Sequence, residues 1–335
     1  MRIGLVGTGR IGACHAETLA KLGAVDTVVV TDADLTRARA TADRLGVDLA
    51  PDVDTLFASG VDGVVITAPT AAHPDLILRA VSAGVPVFCE KPVAADLAGT
   101  LHVAERLADC PVPVQIGFQR RFDVGYLAAR AAVRAGELGW VHTLRATTMD
   151  PEPPPAEYLP TSGGFFRDCS VHDFDAIRWV TGHEITEVYA VGANRGAAFF
   201  ADSGDVDTAA AVLTLDDGTI ALVSGTRYNA AGYDVRLEVL SSAGDLVAGL
   251  DEHVPLWSAE PGVSWPTGPA YGGFLERFRV AYETELAEFA GVAAGRTPAP
   301  CTVTDALAAF RVAEACELSR REHRPVPLTE IADAA

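Results

Sequence analysis

Apolar and polar positions follow two alternating patterns along the first third of the chain. Short apolar runs, such as Arg2–Val6 and residues 28–30, are each followed by a stretch with apolar residues every three or four positions. The first pattern predicts a strand covered on both faces, and the second predicts an amphipathic helix. Because short strands alternate with helices, the pattern predicts an α/β fold with a doubly wound parallel sheet.

The remaining elements of this part continue the alternation. Strands are predicted over 61–69, 85–89 and 112–117, and helices over 34–45, 73–83 and 97–108. His73-Pro74 opens the middle helix, since proline is well tolerated in a first turn. Ligands of such sheets bind at the carboxyl ends of the strands. Segments 7–12, 67–73, 90–92 and 117–121 should therefore lie along one rim, together with Asp32.

From about residue 122 the apolar positions alternate as they do in strands with one exposed face. Helices are predicted over 124–135 and about 168–180, separated by a strand over 140–149 and a stiff proline-rich segment over 150–155. Five further strands are predicted over 187–195, 208–215, 219–228, 233–240 and 245–250. Asp217-Gly218 and residues 242–244 predict hairpins, so this part should be an α+β domain with an open, largely antiparallel sheet. Helices over 274–294 and 304–321 close the chain, the second with a capping pair, Thr302 and Asp305.

The first strand leads into the glycine-rich turn Gly7-Thr8-Gly9-Arg10-Ile11-Gly12, which opens a helix. This order is typical of a dinucleotide site. The first glycine permits the turn, the second admits a pyrophosphate and the third allows close packing, while the helix N-terminus attracts the phosphates. Asp32, at the end of the second strand, can accept both ribose hydroxyls. Its carboxylate would repel a 2′-phosphate, and no basic residue follows before Arg37, so NAD is favoured over NADP.

Composition narrows the possible partners and compartments. The chain has 335 residues, 49% of them hydrophobic, and a net charge of −19. This excess of acids disfavours nucleic-acid and anionic-membrane partners. The six cysteines form no CxxC pair and no His/Cys cluster at metal spacing, so we expect buried free thiols and no metal site. No signal peptide and no stretch of membrane length is apparent, so we expect a cytoplasmic protein.

The second part contains one stretch with acid–base potential, residues 163–175. In a helix, Asp168 and His172 stand four residues apart and share a face. A histidine beside a carboxylate is suited to taking a proton from an alcohol as hydride leaves. A helix-capping aspartate next to an ordinary polar histidine explains the pair equally well.

Lys91 is a further candidate, because it ends a strand on the ligand rim and precedes a proline. Its ammonium could hold a substrate hydroxyl and stabilise a forming alkoxide. A surface lysine in a loop is the alternative explanation. His73 is better explained as a helix cap, and His15 as packing beside the glycine turn.

Together these stretches resemble the glucose–fructose oxidoreductase/inositol dehydrogenase family of NAD(P)-dependent sugar and polyol dehydrogenases. The matching segments span nearly the whole chain: GTGRIG at 7–12, TAPTAAH at 67–73, AGVPVFCEKP at 83–92, QIGFQRRFD at 115–123, SGGFFRDCSVHDFD at 162–175 and GYDVRLEV at 232–239. Within the family, the chain looks most similar to the inositol 2-dehydrogenase branch. One departure is Gln119, where close inositol enzymes tend to carry an apolar residue.

The resemblance implies a division of the chain and a set of site residues. It implies a dinucleotide-binding domain over 1–121, a substrate and oligomerisation domain over 122–300, and a closing helix over 301–335 that packs back on the first domain. Lys91, Asp168 and His172 would be catalytic, with His172 as the base. Substrate contacts would add Arg121 (or Arg120), Asp150 and Tyr233. The cofactor-binding candidates are Gly7, Gly9, Arg10, Ile11, Gly12, Asp32, Thr67, Ala68, Pro69, His73, Glu90, Lys91 and Gln119.

The activity implied is NAD-dependent oxidation of a ring secondary alcohol of a cyclic polyol, with myo-inositol as the expected substrate. Each hydroxyl of such a substrate needs a polar partner when it is desolvated. The alternatives are a related dehydrogenase of a glucose-like sugar, an anhydrosugar or scyllo-inositol, and a non-catalytic regulator that binds NAD(H). A non-redox use of bound NAD, as in some glycosidases, is not favoured, because the sequence shows no further pair of acids that would require it. A homo-oligomer, dimer or tetramer, is expected.

Overall fold

The computed structural model describes residues 1–333, which form two compact units. The first unit comprises Met1–Gln119 and Val280–Leu307, and the second comprises Arg120–Arg279 and the described residues 308–333. The first boundary lies two residues from the one expected at 121. The segment that returns to the first unit differs from the expectation, because it is 280–307 where 301–335 was predicted.

The first unit is built on a six-stranded parallel sheet, as predicted. Its strand order, β3-β2-β1-β4-β5-β6, reverses direction between β1 and β4. Ligands of doubly wound sheets bind next to such a reversal, at the carboxyl ends of the strands. The elements up to residue 117 are β1 Arg2–Val6, α1 Arg10–Lys21, β2 Thr27–Thr31, α2 Leu35–Leu45, β3 Asp48–Leu49, α3 Val53–Ala58, β4 Gly63–Ile66, α4 His73–Ser82, β5 Val87–Glu90, α5 Leu97–Leu107 and β6 Val114–Gly117.

The second unit is built on a seven-stranded mixed sheet of order β12-β11-β7-β10-β9-β8-β13. Among the strands that the structure describes in this sheet, only β7 and β10 pair in parallel, so the prediction of a largely antiparallel sheet is confirmed. Both predicted hairpins are present, and Gly218 adopts the positive φ that the tight turn between β9 and β10 requires. The elements are α6 Val124–Arg134, β7 Val141–Met149, α7 Leu159–Ser162, α8 Val171–Thr181, β8 Ile185–Ala193, α9 Phe199–Asp202, β9 Thr208–Leu215, β10 Ile220–Thr226, β11 Asp234–Ser241, β12 Leu246–Ala248, α10 Phe274–Arg277, α11 Arg279–Ala293, α12 Val303–Glu322, β13 Val326–Pro327 and α13 Leu328–Asp333.

The helix predicted over 274–294 is interrupted. It ends as α10 at Arg277, and α11 begins at Arg279, so Phe278 forms a break between them. Phe278 is fully buried, and its ring packs edge-on against Tyr233 in the second unit. The side chain of Arg277 donates to Asp123 at 2.7 Å. These tertiary contacts stabilise the interruption of the helix at Phe278. The apolar periodicity of the sequence gives no sign of it, because the partners lie far away in the chain.

The core explains which C-terminal segments belong to which unit. Leu286, Phe289 and Val292 of α11 are buried among the strands of the parallel sheet. Later in the chain, Ser319 of α12 accepts a hydrogen bond from the backbone N–H of Ala190 in β8, and β13 pairs with β8. The Thr302 and Asp305 capping pair at the start of α12 is confirmed by reciprocal hydrogen bonds.

Four of the six cysteines are buried and all six are free thiols, in agreement with the interpretation of the sequence. Within residues 1–333, the helices are all too short or too polar to cross a bilayer.

Candidate active site

The glycine turn of the first unit has the geometry that its sequence predicts. Gly7 adopts φ +99°, which strongly favours glycine. A Cβ on Gly12 would lie 1.9 Å from the carbonyl oxygen of Gly7, so Gly12 allows the close packing of helix on strand. A methyl group added at Gly9 would meet no atom nearer than Nη1 of Arg37, at 4.0 Å, among the residues that the structure describes. The missing side chain of Gly9 thus leaves room beside the N-terminus of α1.

Asp32 follows β2 on the same rim, and its carboxylate is held by three donors. Oδ2 accepts from the backbone N–H of Thr8 at 2.6 Å and from the Thr8 hydroxyl at 3.0 Å, and Oδ1 accepts from the N–H of Asp34 at 2.8 Å. Partial burial raises the pKa of Asp32, but these hydrogen bonds outweigh it and the net pKa is lowered. Asp32 is therefore an anion at neutral pH, positioned next to the glycine turn.

The loops after β4 and β5 are joined by His73. Its Nε2 lies 2.8 Å from the carbonyl oxygen of Ala68, and its Nδ1 lies 2.7 Å from that of Pro92. The buried ring thus connects two loops of the rim and does not cap α4, contrary to the expectation from sequence. Thr67 donates to the carbonyl of Gly7 at 2.6 Å and so fastens the first of these loops to the glycine turn.

Glu90 and Lys91 stand at the carboxyl end of β5. The Glu90 carboxylate turns toward α1, where its Oε1 lies 2.7 Å from Nε2 of His15. His15 is fully buried and packs against Phe88 and Tyr282, as its sequence position predicts. In addition to this packing, it contacts the ionisable group of Glu90. Lys91 is half-buried and follows directly.

These features fit a dinucleotide. The rim offers an open position at Gly9, the N-terminus of a twelve-residue helix without a side-chain cap, and a fixed carboxylate at Asp32. The remaining candidates lie on the same rim, where Arg10 and Ile11 begin α1, Pro69 follows Ala68 after β4, and Gln119 follows β6. Oriented N–H groups and a helix dipole suit phosphates, and a carboxylate suits ribose hydroxyls.

In the second unit, Asp168 lies on a π-helical turn, Phe166–Ser170, which leads directly into α8. The sequence predicted one regular helix across Asp168 and His172, and the wider turn changes the relative direction of their side chains. Gly163 and Gly164, both at positive φ, precede this turn. Such π turns often occur at functional sites.

Arg227, which follows β10, connects two of the predicted site residues. Its Nη2 donates to Oδ2 of Asp168 at 2.7 Å, and its Nη1 donates to Oδ2 of Asp150 at 3.0 Å. Oδ1 of Asp168 accepts from the Tyr158 hydroxyl at 3.0 Å. Burial alone would lower the pKa of Arg227, but Cys169, Asp168 and Asp150 raise it well above its ordinary value. Burial and the Asp168 carboxylate raise the pKa of Tyr158, so its hydroxyl keeps its proton.

The two adjacent arginines are held in buried ion pairs with α8. Arg120 donates to Asp173 and to the Thr148 hydroxyl, and Arg121 donates to both carboxylate oxygens of Asp175, at 2.9 and 2.5 Å. Tyr233 is buried beside Phe278, and burial followed by the Asp150 charge raises its pKa. The structure thus brings Asp150 and Asp168 together through Arg227, and it anchors Arg121 to the helix that carries His172.

Three residues of interest were missed by the sequence interpretation: Arg227, Tyr158 and Glu285. Arg227 is a single polar residue whose partners are distant in sequence, and Tyr158 is a single polar residue that no periodic pattern relates to its partner Asp168. Glu285 lies on the apolar face of α11, one position before Leu286, and this break in the pattern was a usable signal. Another tertiary arrangement is the group of His183, Asp216 and Asp217, whose possible ligand atoms lie within 4.8 Å of one another. The His183 ring is already ion-paired to Asp216 at 2.7 Å.

Comparison with known proteins assigns both units to one family. Residues 1–118 match the family model described as an oxidoreductase family with an NAD-binding Rossmann fold. Residues 126–247 match the GFO/IDH/MocA C-terminal domain. A myo-inositol dehydrogenase of Streptomyces leeuwenhoekii is 41% identical over 95% of this chain and 97% of its own length.

Solved structures agree with this result. A myo-inositol dehydrogenase of Corynebacterium glutamicum superposes with a TM-score of 0.90 at 35% identity and covers 98% of each chain. A scyllo-inositol dehydrogenase of Lactobacillus casei, solved with NAD(H) and scyllo-inositol, gives a TM-score of 0.87 at 30% identity, over 98% of this chain and 99% of its own. The glycine turn, the Asp32 carboxylate and these matches over both units identify the chain as a member of the GFO/IDH/MocA family of NAD-dependent oxidoreductases that act on CH–OH groups.

Proposed function

We propose that the protein is an inositol 2-dehydrogenase, which oxidises a ring secondary alcohol of myo-inositol to the ketone with NAD⁺. The observation that carries this proposal is the 41% identity to a myo-inositol dehydrogenase along nearly the full length of both chains. The cluster of polar residues in the second unit supports it, because a polyhydroxylated ring needs several fixed polar partners. When bound, NAD⁺ supplies the acceptor for the hydride that leaves the carbinol carbon.

Three residues are assigned to the reaction. Lys91, at the carboxyl end of β5, holds the reacting oxygen with its ammonium and stabilises the negative charge that develops there. His172, in the first turn of α8, takes the hydroxyl proton as the general base. Asp168 supports the imidazolium that results, because Arg227 holds its carboxyl group in place with a 2.7 Å hydrogen bond.

Substrate binding is assigned to Asp150, Arg121 and Tyr233, with Arg120 as the alternative to Arg121. Asp150 is the strongest of these, since its carboxylate is partly exposed and is held by Arg227. Arg121 is 5% exposed and engages Asp175 with two hydrogen bonds, so it supports the shape of the site through α8. Gln119, which is buried, would distinguish among polyols.

The test is a substrate panel with the purified protein. myo-Inositol, scyllo-inositol, glucose and an anhydrohexitol are each incubated with NAD⁺ or NADP⁺, and formation of the reduced cofactor is followed by absorbance. We expect the highest kcat/KM with myo-inositol and NAD⁺. Tight NADH binding without turnover of any polyol would instead support a non-catalytic regulator.

A second candidate substrate is scyllo-inositol. A scyllo-inositol 2-dehydrogenase of Bacillus subtilis is 35% identical over 98% of this chain, and the Lactobacillus casei structure contains that isomer. The two isomers differ only in the orientation of one hydroxyl. The same panel separates them by the ratio of their kcat/KM values.

We further propose that the protein is a homo-oligomer, dimer or tetramer, that uses the outer face of the mixed sheet. Leu222, Val212 and Tyr189 lie directly opposite one another on β10, β9 and β8, and all three are exposed. A contiguous apolar row of this kind is typical of an interface. We expect Val212→Glu/Leu222→Glu to lower the mass measured by light scattering, whereas the control Ala128→Glu, at an exposed position of α6, leaves it unchanged.

The cytoplasm is the proposed compartment. All six cysteines are free, which suits a reducing environment. Cell fractionation with an antibody to the protein tests this assignment, and recovery in a membrane or secreted fraction would contradict it.

A further inference from the structure

Arg227 and its two acidic partners form a compact charged group, which we call the Arg227 clamp (Arg227, Asp150 and Asp168). The guanidinium side chain is 5% exposed, whereas the Asp168 and Asp150 side chains are 12% and 23% exposed. The cation therefore lies on the protein side, and the carboxylates are nearer to solvent. A substrate would meet the acids and not the arginine.

The position of the cation is fixed from several directions. The backbone N–H of Arg227 donates to the carbonyl of Asp207 at 2.7 Å, which holds the residue beside β9. Its guanidinium carbon lies 5.5 Å from the centroid of the Phe165 ring. Phe165 in turn donates its backbone N–H to Oδ1 of Asp205 at 2.9 Å. A guanidinium is a rigid fork, so fixing it also fixes the two carboxylates that it binds.

The clamp combines two acidic side chains with a single guanidinium. Two carboxylates and one guanidinium leave one net negative charge. In the proposed reaction, a negative charge near the base favours the imidazolium that forms when it takes the hydroxyl proton. Without Arg227, the two carboxylates would repel each other and at least one would turn away or take up a proton.

We propose that Arg227 is a positioning residue of the second unit, holding Asp168 for the base and Asp150 for the substrate hydroxyls through one guanidinium. This inference rests on the proposed function, since it assigns how the acids of that site are held. Arg227 itself does not touch the substrate. Its loss should therefore act on both acids at once, with a fall in kcat through Asp168 and a rise in KM through Asp150.

The experiment uses Arg227→Ala, Arg227→Lys and the full-length wild-type protein in the inositol assay. We expect Arg227→Ala to lower kcat roughly 10- to 100-fold and to raise the KM for inositol, because charge-assisted hydrogen bonds are lost. The dissociation constant of NADH, measured by fluorescence, should stay within about twofold, since the dinucleotide rim belongs to the first unit. The kcat of Arg227→Lys should lie between those of Arg227→Ala and the wild type, because lysine keeps the positive charge but cannot bind two carboxylates with one planar group.

Chemical rescue separates positioning from general support of the fold. Guanidinium chloride at low millimolar concentration should restore a large part of kcat to Arg227→Ala, while the neutral isostere urea should not. The control variant is Arg178→Gln, which removes another two-point arginine–carboxylate pair of the same unit, at the far end of α8. It should retain wild-type kcat and KM.

Two results would overturn the clamp. One is a wild-type kcat and KM in folded Arg227→Ala. The other is a loss of activity that guanidinium does not rescue and that merely follows the fraction of unfolded protein in circular dichroism. If the wild-type protein binds NADH but oxidises no polyol, the proposed function is wrong, and the positioning role of Arg227, which rests on it, is wrong as well. The failure of the clamp alone is recognised because the wild type then remains active.

Discussion

Nε2 of His15 lies 2.7 Å from Oε1 of Glu90, the residue directly before Lys91. His15 is fully buried, so this pair lies within the first unit, beneath the rim that carries the lysine. A second carboxyl, that of Glu285 on α11, is also fully buried. Neither of its oxygens has a hydrogen-bond partner among the residues that the structure describes. Burial, and next the Glu90 charge, raise the pKa of Glu285 well above its ordinary value.

This arrangement predicts how stability depends on pH. Above the ordinary pKa of a glutamate, the unfolded chain releases the Glu285 proton while the folded protein retains it. The free energy of unfolding therefore falls as pH rises from that value toward the raised pKa of the folded state. The glutamine of Glu285→Gln carries no ionisable proton. At about pH 8 this variant should unfold at a higher temperature than the wild type, and its free energy of unfolding should be larger by about 1–3 kcal/mol. At about pH 5 the free energies of unfolding of the two proteins should differ little.

Thermal denaturation at both pH values measures this effect. Glu288→Gln on the exposed side of the same helix is the control, and it should show no such pH-dependent gain. Equal stability of Glu285→Gln and the wild type at the higher pH would show that Glu285 is not a buried neutral acid.

The glycine turn predicts opposite outcomes for two alanine substitutions. Gly12→Ala places a methyl group 1.9 Å from the carbonyl oxygen of Gly7 and 2.6 Å from Oγ1 of Thr67, so the backbone must move. We expect a loss of about 1–3 kcal/mol in stability, measured by denaturant unfolding. Gly9→Ala adds its methyl group in open space at an ordinary φ of −66°.

Gly9→Ala should therefore keep the wild-type stability and still weaken NADH binding, because the pyrophosphate must approach that position closely. Fluorescence titration with NADH measures the second effect. Unchanged NADH affinity in Gly9→Ala would contradict the position assigned to the pyrophosphate.

The Asp32 carboxylate predicts the cofactor preference. Asp32→Ser should lower kcat/KM with NAD⁺ roughly 10- to 100-fold, because charge-assisted hydrogen bonds to the ribose are lost. Activity with NADP⁺ should rise relative to NAD⁺, since the repulsive charge is gone and Arg37 lies next to Gly9. The exposed Asp43→Ser on α2 is the control. If the ratio of kcat/KM with NAD⁺ to kcat/KM with NADP⁺ is unchanged in Asp32→Ser, Asp32 does not bind the ribose.

The link made by His73 predicts a defect in cofactor binding. His73→Phe keeps a ring of similar size but cannot donate to the carbonyls of Ala68 and Pro92. The loops after β4 and β5 would then be held less firmly, and we expect NADH to bind roughly tenfold more weakly, by about 1.4 kcal/mol. His102→Phe, at an exposed position of α5, should bind NADH as the wild type does. Calorimetric titration of the wild type and the two variants with NADH gives the comparison. Equal affinities in all three proteins would show that His73 does not support cofactor binding.

The doubly wound sheet, the glycine turn and the acid at Asp32 could all be predicted from sequence, because these features are local. A strand, a turn and the following helix are contiguous in the chain, and their apolar periods are strong. The antiparallel sheet of the second unit was predictable for the same reason, since hairpins join neighbouring strands.

Features that depend on partners distant in the chain became visible only in the folded protein. These include the Arg227 clamp, the break at Phe278, the His73 link between two loops and the return of 280–307 to the first unit. Arg227 stands 59 residues from Asp168 and 77 from Asp150, and no local period encodes such a contact. Burial makes these contacts strong, and burial is a property of the folded chain as a whole.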